Sequence, residues 1–332
     1  MTTLRWGIAS AGKISNDFAV GLSCLPKQEH TILAIAARDL KRSEVFAKLH
    51  GIPKAYASYA ELARNPDIDV VYIGSVNTEH LDISKLMLEN GKHVLCEKPL
   101  CLNRKQSSEL VELARSKKLF LMEAIWSRFF PAYTYLRQLL ANGALGRIQS
   151  IDVGFGFDLK SVDRLQKKEL GGGTVLDLGV YTIQLCQWVA QEAPSSIEST
   201  GELNEEGVDV AVSATLKYPS GIVANMSTSA KEMLSNTAVI KGTKGETTLN
   251  MFWCPTSLIG VDGGTKSWDL PKTDKFLNFP NSQGLGYQAV TVRDCIFNKK
   301  LESNIVSHNE SILIASIQDT IRKQIGVRFP QD

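Results

Sequence analysis

Long apolar runs are missing from this sequence. None approaches the roughly 20 residues needed to cross a bilayer, so no membrane span is expected. An excess of one charge is missing too: 37 Lys and Arg face 35 Asp and Glu, for a formal net charge of +2. That balance gives no basis for binding nucleic acid or an anionic membrane. The six cysteines (Cys24, Cys96, Cys101, Cys186, Cys254, Cys295) are scattered without a C-x-x-C pair. Free thiols in a reducing cytosol fit that pattern better than a disulfide framework. The five histidines form no H-E-x-x-H and pair with no cysteine at ligand spacing, so no metal site is expected. The opening MTTLRWGIAS has neither an apolar h-region nor a small-residue cleavage site, so no signal peptide is expected. Internal repeats and low-complexity tracts are also lacking.

What is present is a rhythm. LRWGIA reads as a strand. GKISNDFAVGLSCL carries apolar residues at helical spacing (Ile14, Phe18, Leu22, Leu25). TILAIAA, DVVYIGS, HVLC and LFLMEA continue as strands, with helices in RSEVFAKLH, HLDISKLMLEN and RKQSSELVELARSKK between them. Strands alternating with helices imply βαβ units and a doubly wound parallel sheet, covered on both faces. From residue 125 the pattern changes. AYTYLRQLLANG is a helix, RIQSIDVGFGFDL a long strand, and GGGTVLDLGVYTIQLCQWVA one helix behind a glycine run. SIESTGEL, VDVAVSATLKY, GIVANMSTSA, NTAVIKG and ETTLNMF then predict a mostly antiparallel sheet. VDGGTKSWDLPKTDKFLNFPNSQG reads as a surface loop, and two helices close the chain. The fold class is therefore α/β. A Rossmann domain spans 1–124, and an α+β domain with a large open-faced sheet spans 125–332.

Four stretches carry chemistry. In GIASAG, Gly7, Ala9 and Gly12 take the positions of a dinucleotide fingerprint with alanine in the middle. Gly7 would make the tight turn, and Gly12 would let helix and strand pack. The helix N-terminus that follows, with Lys13 and Ile14, would face the phosphates. At the end of the second strand, AIAARDLKR puts Ala37 where an NAD-binding protein usually has an acid, followed by Arg38 and, one turn on, Arg42. Guanidinium groups favour a 2′-phosphate, so the cofactor reads as NADP. A register slip of two would instead put Asp39 on the ribose and favour NAD. In LDLGVY, Asp177 and Tyr181 are four apart on an expected helix, hence on one face. In LCEKPL, Pro99 restricts where Lys98 points. A tyrosine works as an acid or base at neutral pH when a cation stabilises its phenolate, and Lys98 is the candidate cation.

CEKPL, followed about eighty residues later by LDLGVY, resembles the glucose-fructose oxidoreductase and inositol dehydrogenase (Gfo/Idh/MocA) family. LRWGIASAGKIS, IPKAYASYAELA, LFLMEAIWSRFFPA, LSNTAVIKGTKG, CPT and GVRFPQD extend the resemblance through nearly the whole chain. The resemblance implies that Lys98 is catalytic, its proline bond commonly cis, and that Asp177 and Tyr181 supply the other two active groups. Tyrosine at 181, where many relatives carry histidine, narrows the subgroup. Glu97 of the E-K-P motif, and Ser75, Asn77 and His80 of GSVNTEH, would lie along the cofactor. Trp126 and Arg128 of EAIWSRFFPA would line the cofactor and substrate cleft. The implied activity is NADP-dependent oxidation of trans-dihydrodiols of aromatic hydrocarbons, of aldoses such as D-xylose at C1, or of both. NADPH-dependent reduction of sugar ketones or dicarbonyls is the alternative, as is a non-catalytic dinucleotide sensor. A homodimer is also implied. VDVAVSATLKY alternates Val208, Val210, Val212, Ala214 and Leu216 with small or polar residues, leaving one flat, weakly charged sheet face for a second copy within residues 150–260.

Overall fold

The computed structural model describes residues 3–332. The chain forms two compact units. One comprises residues 3–101, Gln106–Trp126 and Leu270–Ser311; the other comprises Leu102–Lys105, Ser127–Asp269 and Ile312–Asp332.

The first unit begins β1 (Leu4–Ala9), α1 (Lys13–Ser23), β2 (His30–Ala36), α2 (Leu40–His50), β3 (Lys54–Tyr56) and α3 (Tyr59–Arg64). It continues β4 (Val70–Ile73), α4 (His80–Glu89), β5 (His93–Glu97), α5 (Arg104–Lys117) and β6 (Leu121–Ala124). The six strands form one parallel sheet in the order β3-β2-β1-β4-β5-β6. That order reverses between β1 and β4, which is where a doubly wound sheet binds ligands beyond its strand ends. β4 reads VVYI, and all four of its residues are buried, as a strand covered on both faces requires. β3 and α3 were not anticipated; a three-residue edge strand leaves little periodic signal.

The second unit contains α6 (Pro131–Ala141), β7 (Ile148–Gly156), α7 (Asp163–Gln166), α8 (Thr174–Asp177) and α9 (Gly179–Ala190). β8 (Ser196–Leu203), β9 (Asp209–Lys217), β10 (Val223–Ser229), β11 (Thr237–Gly242), β12 (Gly245–Asn250), β13 (Ser257–Ile259) and β14 (Thr265–Ser267) follow. Its eight strands run β14-β13-β12-β11-β7-β10-β9-β8. Only β7 and β10 pair in parallel. On β9 the inward residues Val212, Ala214 and Leu216 are buried, as is Val208 just before it, while Val210 is only half-buried. Ser213 is exposed and Thr215 half-buried on the opposite face. That face carries a groove of about 710 Å³ lined by Asp152, Ser213, Thr215, Asn225, Ser227 and Val239 among others.

Leu270–Ser311 returns to the first unit, a return the sequence reading did not contain. Its helix, α10 (Leu285–Phe297), meets α1 where Gly21 faces Gly286. A Cβ at 286 would lie 2.7 Å from the Gly21 carbonyl oxygen, so only glycine allows the approach. The stretch before α10 is not a free surface loop. Buried Asp17 of α1 accepts hydrogen bonds from the backbone N–H of Asn278 and of Phe279 (2.9 Å each) and from the Ser282 hydroxyl (2.6 Å). The last helix, α11, spans His308–Ile325. Among the described residues no helix is long and apolar enough to cross a membrane.

Candidate active site

The turn after β1 departs from the expected register. Gly7 lies inside β1, paired with Ala34 and Val71. It makes no turn; a Cβ there would come within 3.1 Å of Leu62 and Ile68 side chains. Ala9 ends the strand, fully buried. The left-handed residue is Ser10, with φ 89°, a conformation that costs a non-glycine residue about 1–2 kcal/mol. Gly12 is the N-cap of α1 and offers no side chain to cap it, and the first turn of α1 carries no acid. Three residues on, Ser15 is buried, and a Cβ at Gly74 would collide with its hydroxyl. Tight turn, open N-terminus and close packing thus fall at Ser10, Gly12 and Ser15, three residues later than Gly7, Ala9 and Gly12. Uncapped N–H groups without a nearby acid suit phosphate oxygens. Lys13 and Ile14 occupy the first turn of that helix.

At the next junction Ala37 follows β2, and Asp39 is the N-cap of α2, its carboxylate accepting from Lys41 N at 2.8 Å. Arg38 and Arg42 are exposed. Arg38 meets Glu79 at 3.4 Å, with 69% of its side chain exposed. Such a surface pair is worth about 0–1 kcal/mol and yields readily to a stronger anion.

Beyond β4, Ser75 is half-buried, and Asn77 opens a short 3-10 turn leading into α4. His80, expected along the cofactor, is instead fully buried. Its Nδ1 lies 2.8 Å from the Pro99 carbonyl oxygen and its Nε2 3.2 Å from that of Ser75. Burial holds its pKa below the ordinary histidine value. It braces two backbone segments and has no surface left for a ligand.

Glu97 ends β5, with its side chain buried. It accepts a 2.6 Å hydrogen bond from the Tyr72 hydroxyl and one at 3.3 Å from Lys98 N. Tyr72 in turn stacks on Phe18, ring centroids 3.8 Å apart. Glu97 therefore anchors the strand end from which Lys98 leaves. The Lys98–Pro99 peptide is cis.

In the second unit, Asp177 and Tyr181 do not share one helix. α8 ends at Asp177, Leu178 intervenes, and α9 begins at Gly179. Leu178 still accepts a hydrogen bond from Tyr181 N at 3.0 Å, so the two side chains flank a break. Arg164 of α7, absent from the sequence reading, bridges to Asp177 Oδ1 at 2.5 Å. Tyr181 is nearly buried and meets Phe155 edge-on, centroids 5.5 Å apart. Arg128 is not a surface group. It is buried, donating to the Gln184 side chain (2.9 Å) and carbonyl (2.8 Å). Trp126 is also buried. Among the described residues no cluster of His, Cys, Asp or Glu could hold a metal ion.

Two family models match. Residues 4–125 match the oxidoreductase family with an NAD-binding Rossmann fold (GFO_IDH_MocA), and residues 133–248 match the GFO/IDH/MocA C-terminal domain. The chain is 46% identical to trans-1,2-dihydrobenzene-1,2-diol dehydrogenase of Xenopus tropicalis over 328 residues, 98% of this chain and 99% of that one. It is 45% identical to the enzyme of that name from Homo sapiens over 331 residues, 99% of each chain. Levoglucosan dehydrogenase, solved with NADH and levoglucosan, shares the fold at a TM-score of 0.85 and 19% identity over 98% of each chain. A 3-ketoreductase from Actinomadura kijaniata, solved with NADP and TDP-benzene, does so at 0.82 and 23% over 98% of each.

Proposed function

Since the chain belongs to the GFO/IDH/MocA oxidoreductase family, we propose that it is an NADP-dependent dehydrogenase of trans-dihydrodiols of aromatic hydrocarbons, of aldoses such as D-xylose at C1, or of both. The observation that carries the reading is the set of Lys98 after β5 and Asp177 and Tyr181 across the α8–α9 break, in a chain so similar to the human diol dehydrogenase. A protein that only sensed a dinucleotide would need none of the three.

Ser10, Gly12 and the first turn of α1 would hold the pyrophosphate, and Arg38 and Arg42 the 2′-phosphate. Asp39 is engaged as a helix cap, which favours NADP over NAD. Nicotinamide supplies the hydride acceptor when bound. Tyr181 takes the proton of the substrate hydroxyl. Lys98 stabilises the phenolate and shares the substrate oxygen. Asp177, held by Arg164, orients the substrate. Residues 1–124 carry the cofactor and 125–332 the substrate and a dimer contact on the outer sheet face, Leu270–Ser311 returning to the first unit.

The test is nicotinamide reduction by the purified protein with NADP⁺ and, separately, trans-1,2-dihydrobenzene-1,2-diol and D-xylose, comparing kcat/KM. Turnover with either supports the reading. No turnover with both, alongside NADPH oxidation by a dicarbonyl, would replace it with a reductase.

A further inference from the structure

We propose that Asp209 is a positioning residue for this chemistry, fixing Asp177 by holding the start of α8; the proposal rests on the reading above that Asp177 takes part in catalysis. α8 is a single turn of four residues ending at Asp177. One turn fixes several dihedrals for very few hydrogen bonds, so it does not sustain itself. Its place must be imposed from outside.

Asp209, the first residue of β9, supplies that hold. Its side chain is buried. One oxygen, Oδ2, accepts from the Thr174 hydroxyl at 2.8 Å and from Val175 N at 2.7 Å. Two donors on one oxygen fix both the position and the rotation of the turn. The other oxygen lies against Gly173, where φ is +113° and any Cβ would collide with it. Thr228 of β10 donates to the Thr174 hydroxyl at 2.9 Å, tying the turn to the neighbouring strand as well. From α11, Gln318 donates to the Val175 carbonyl oxygen at 3.0 Å. Asp177 lies three residues beyond Thr174, within the same turn. Whatever moves Thr174 and Val175 moves Asp177. Burial pushes the Asp209 pKa up, and the hydrogen bonds from Val175 and Thr174 oppose that rise. Asparagine retains an oxygen acceptor for both donors, so geometry and charge separate by substitution.

The experiment is a double-mutant cycle between Asp209→Ala and Asp177→Asn, with trans-1,2-dihydrobenzene-1,2-diol and NADP⁺. Alone, Asp209→Ala lowers kcat roughly 10²-fold, the scale of a displaced catalytic group. It leaves the NADPH dissociation constant unchanged, and Asp209→Asn restores most of the turnover. In the Asp177→Asn background the same change costs less than about threefold, because the group it positions is already gone. Equal losses in both backgrounds would overturn the proposal, since a general structural defect does not depend on Asp177. A fully active Asp177→Asn enzyme would instead overturn the assignment of Asp177, and the proposal with it. If Asp209→Ala does not fold, Thr174→Val, which removes one of the two donors, runs the same cycle.

Discussion

The indole N–H of Trp6 lies 3.2 Å from His30 Nδ1. An indole only donates, so that ring nitrogen must accept, and a doubly protonated ring breaks the bond. Burial acts in the same direction, lowering the pKa of His30 from 6.5 to about 4, helped by Arg293. His50 is likewise lowered to about 4 by burial, with Lys275 adding to it. Unfolded, both titrate near 6.5. Below that pH the unfolded chain binds protons that the folded chain refuses, so stability is full above pH 6.5 and falls as pH drops toward 4. Melting temperature followed across that window should decline, and His30→Asn should flatten part of the decline while lowering stability at neutral pH. An unchanged slope in the variant would place the titration on other groups. Residues of this kind were hard to read from sequence. Asp17, Tyr72 and Asp209 are polar groups inside apolar elements, and only their long-range partners give them roles.

Elements were legible where periodicity was strong. The four central strands and their helices were anticipated because buried parallel strands read as near-continuous apolar runs. The break at Leu178 was not, because α9 is buried on nearly every side and its few polar residues mark no single face from which to detect an interruption. The fingerprint register slipped because serine, not glycine, stands at the left-handed position, so Gly7 stood in for it. The proposed choice of NADP rests on the β2–α2 junction. There Asp39 caps α2, a role worth about 1 kcal/mol, and the two exposed arginines are the residues proposed for a 2′-phosphate. Arg38→Ala with Arg42→Ala should raise KM for NADP⁺ by roughly 10²-fold or more and change that for NAD⁺ little, since each lost charge-assisted bond costs about 1.5–3 kcal/mol. Equal losses for both cofactors would put Asp39 on the ribose.

At the scale of the molecule, the two sheets were legible but the return of Leu270–Ser311 to the first unit was not. Sequence order says nothing about a long-range carboxylate anchor such as Asp17 with Asn278. The outer face of the second sheet carries small and polar side chains around its groove. A broad face of mostly small and polar side chains, its charges including Asp152 and the Glu198–Lys217 pair, suits an isologous contact between two copies. Light scattering at micromolar concentration should give twice the 36.5 kDa chain mass. Ser227→Glu with Val239→Glu should shift it toward the single-chain value; a dimer indifferent to both charges would place the contact elsewhere. Ser229 suits such a test less well, because its hydroxyl accepts from Lys231 N and Glu232 N and it is buried. The most direct test of the central claim, that Lys98 works chemically with Tyr181 on a substrate hydroxyl, is the turnover of Lys98→Met with NADP⁺ and trans-1,2-dihydrobenzene-1,2-diol. The account predicts a fall in kcat of roughly 10²–10⁴-fold with an unchanged melting temperature; turnover near that of the unmodified protein would contradict it.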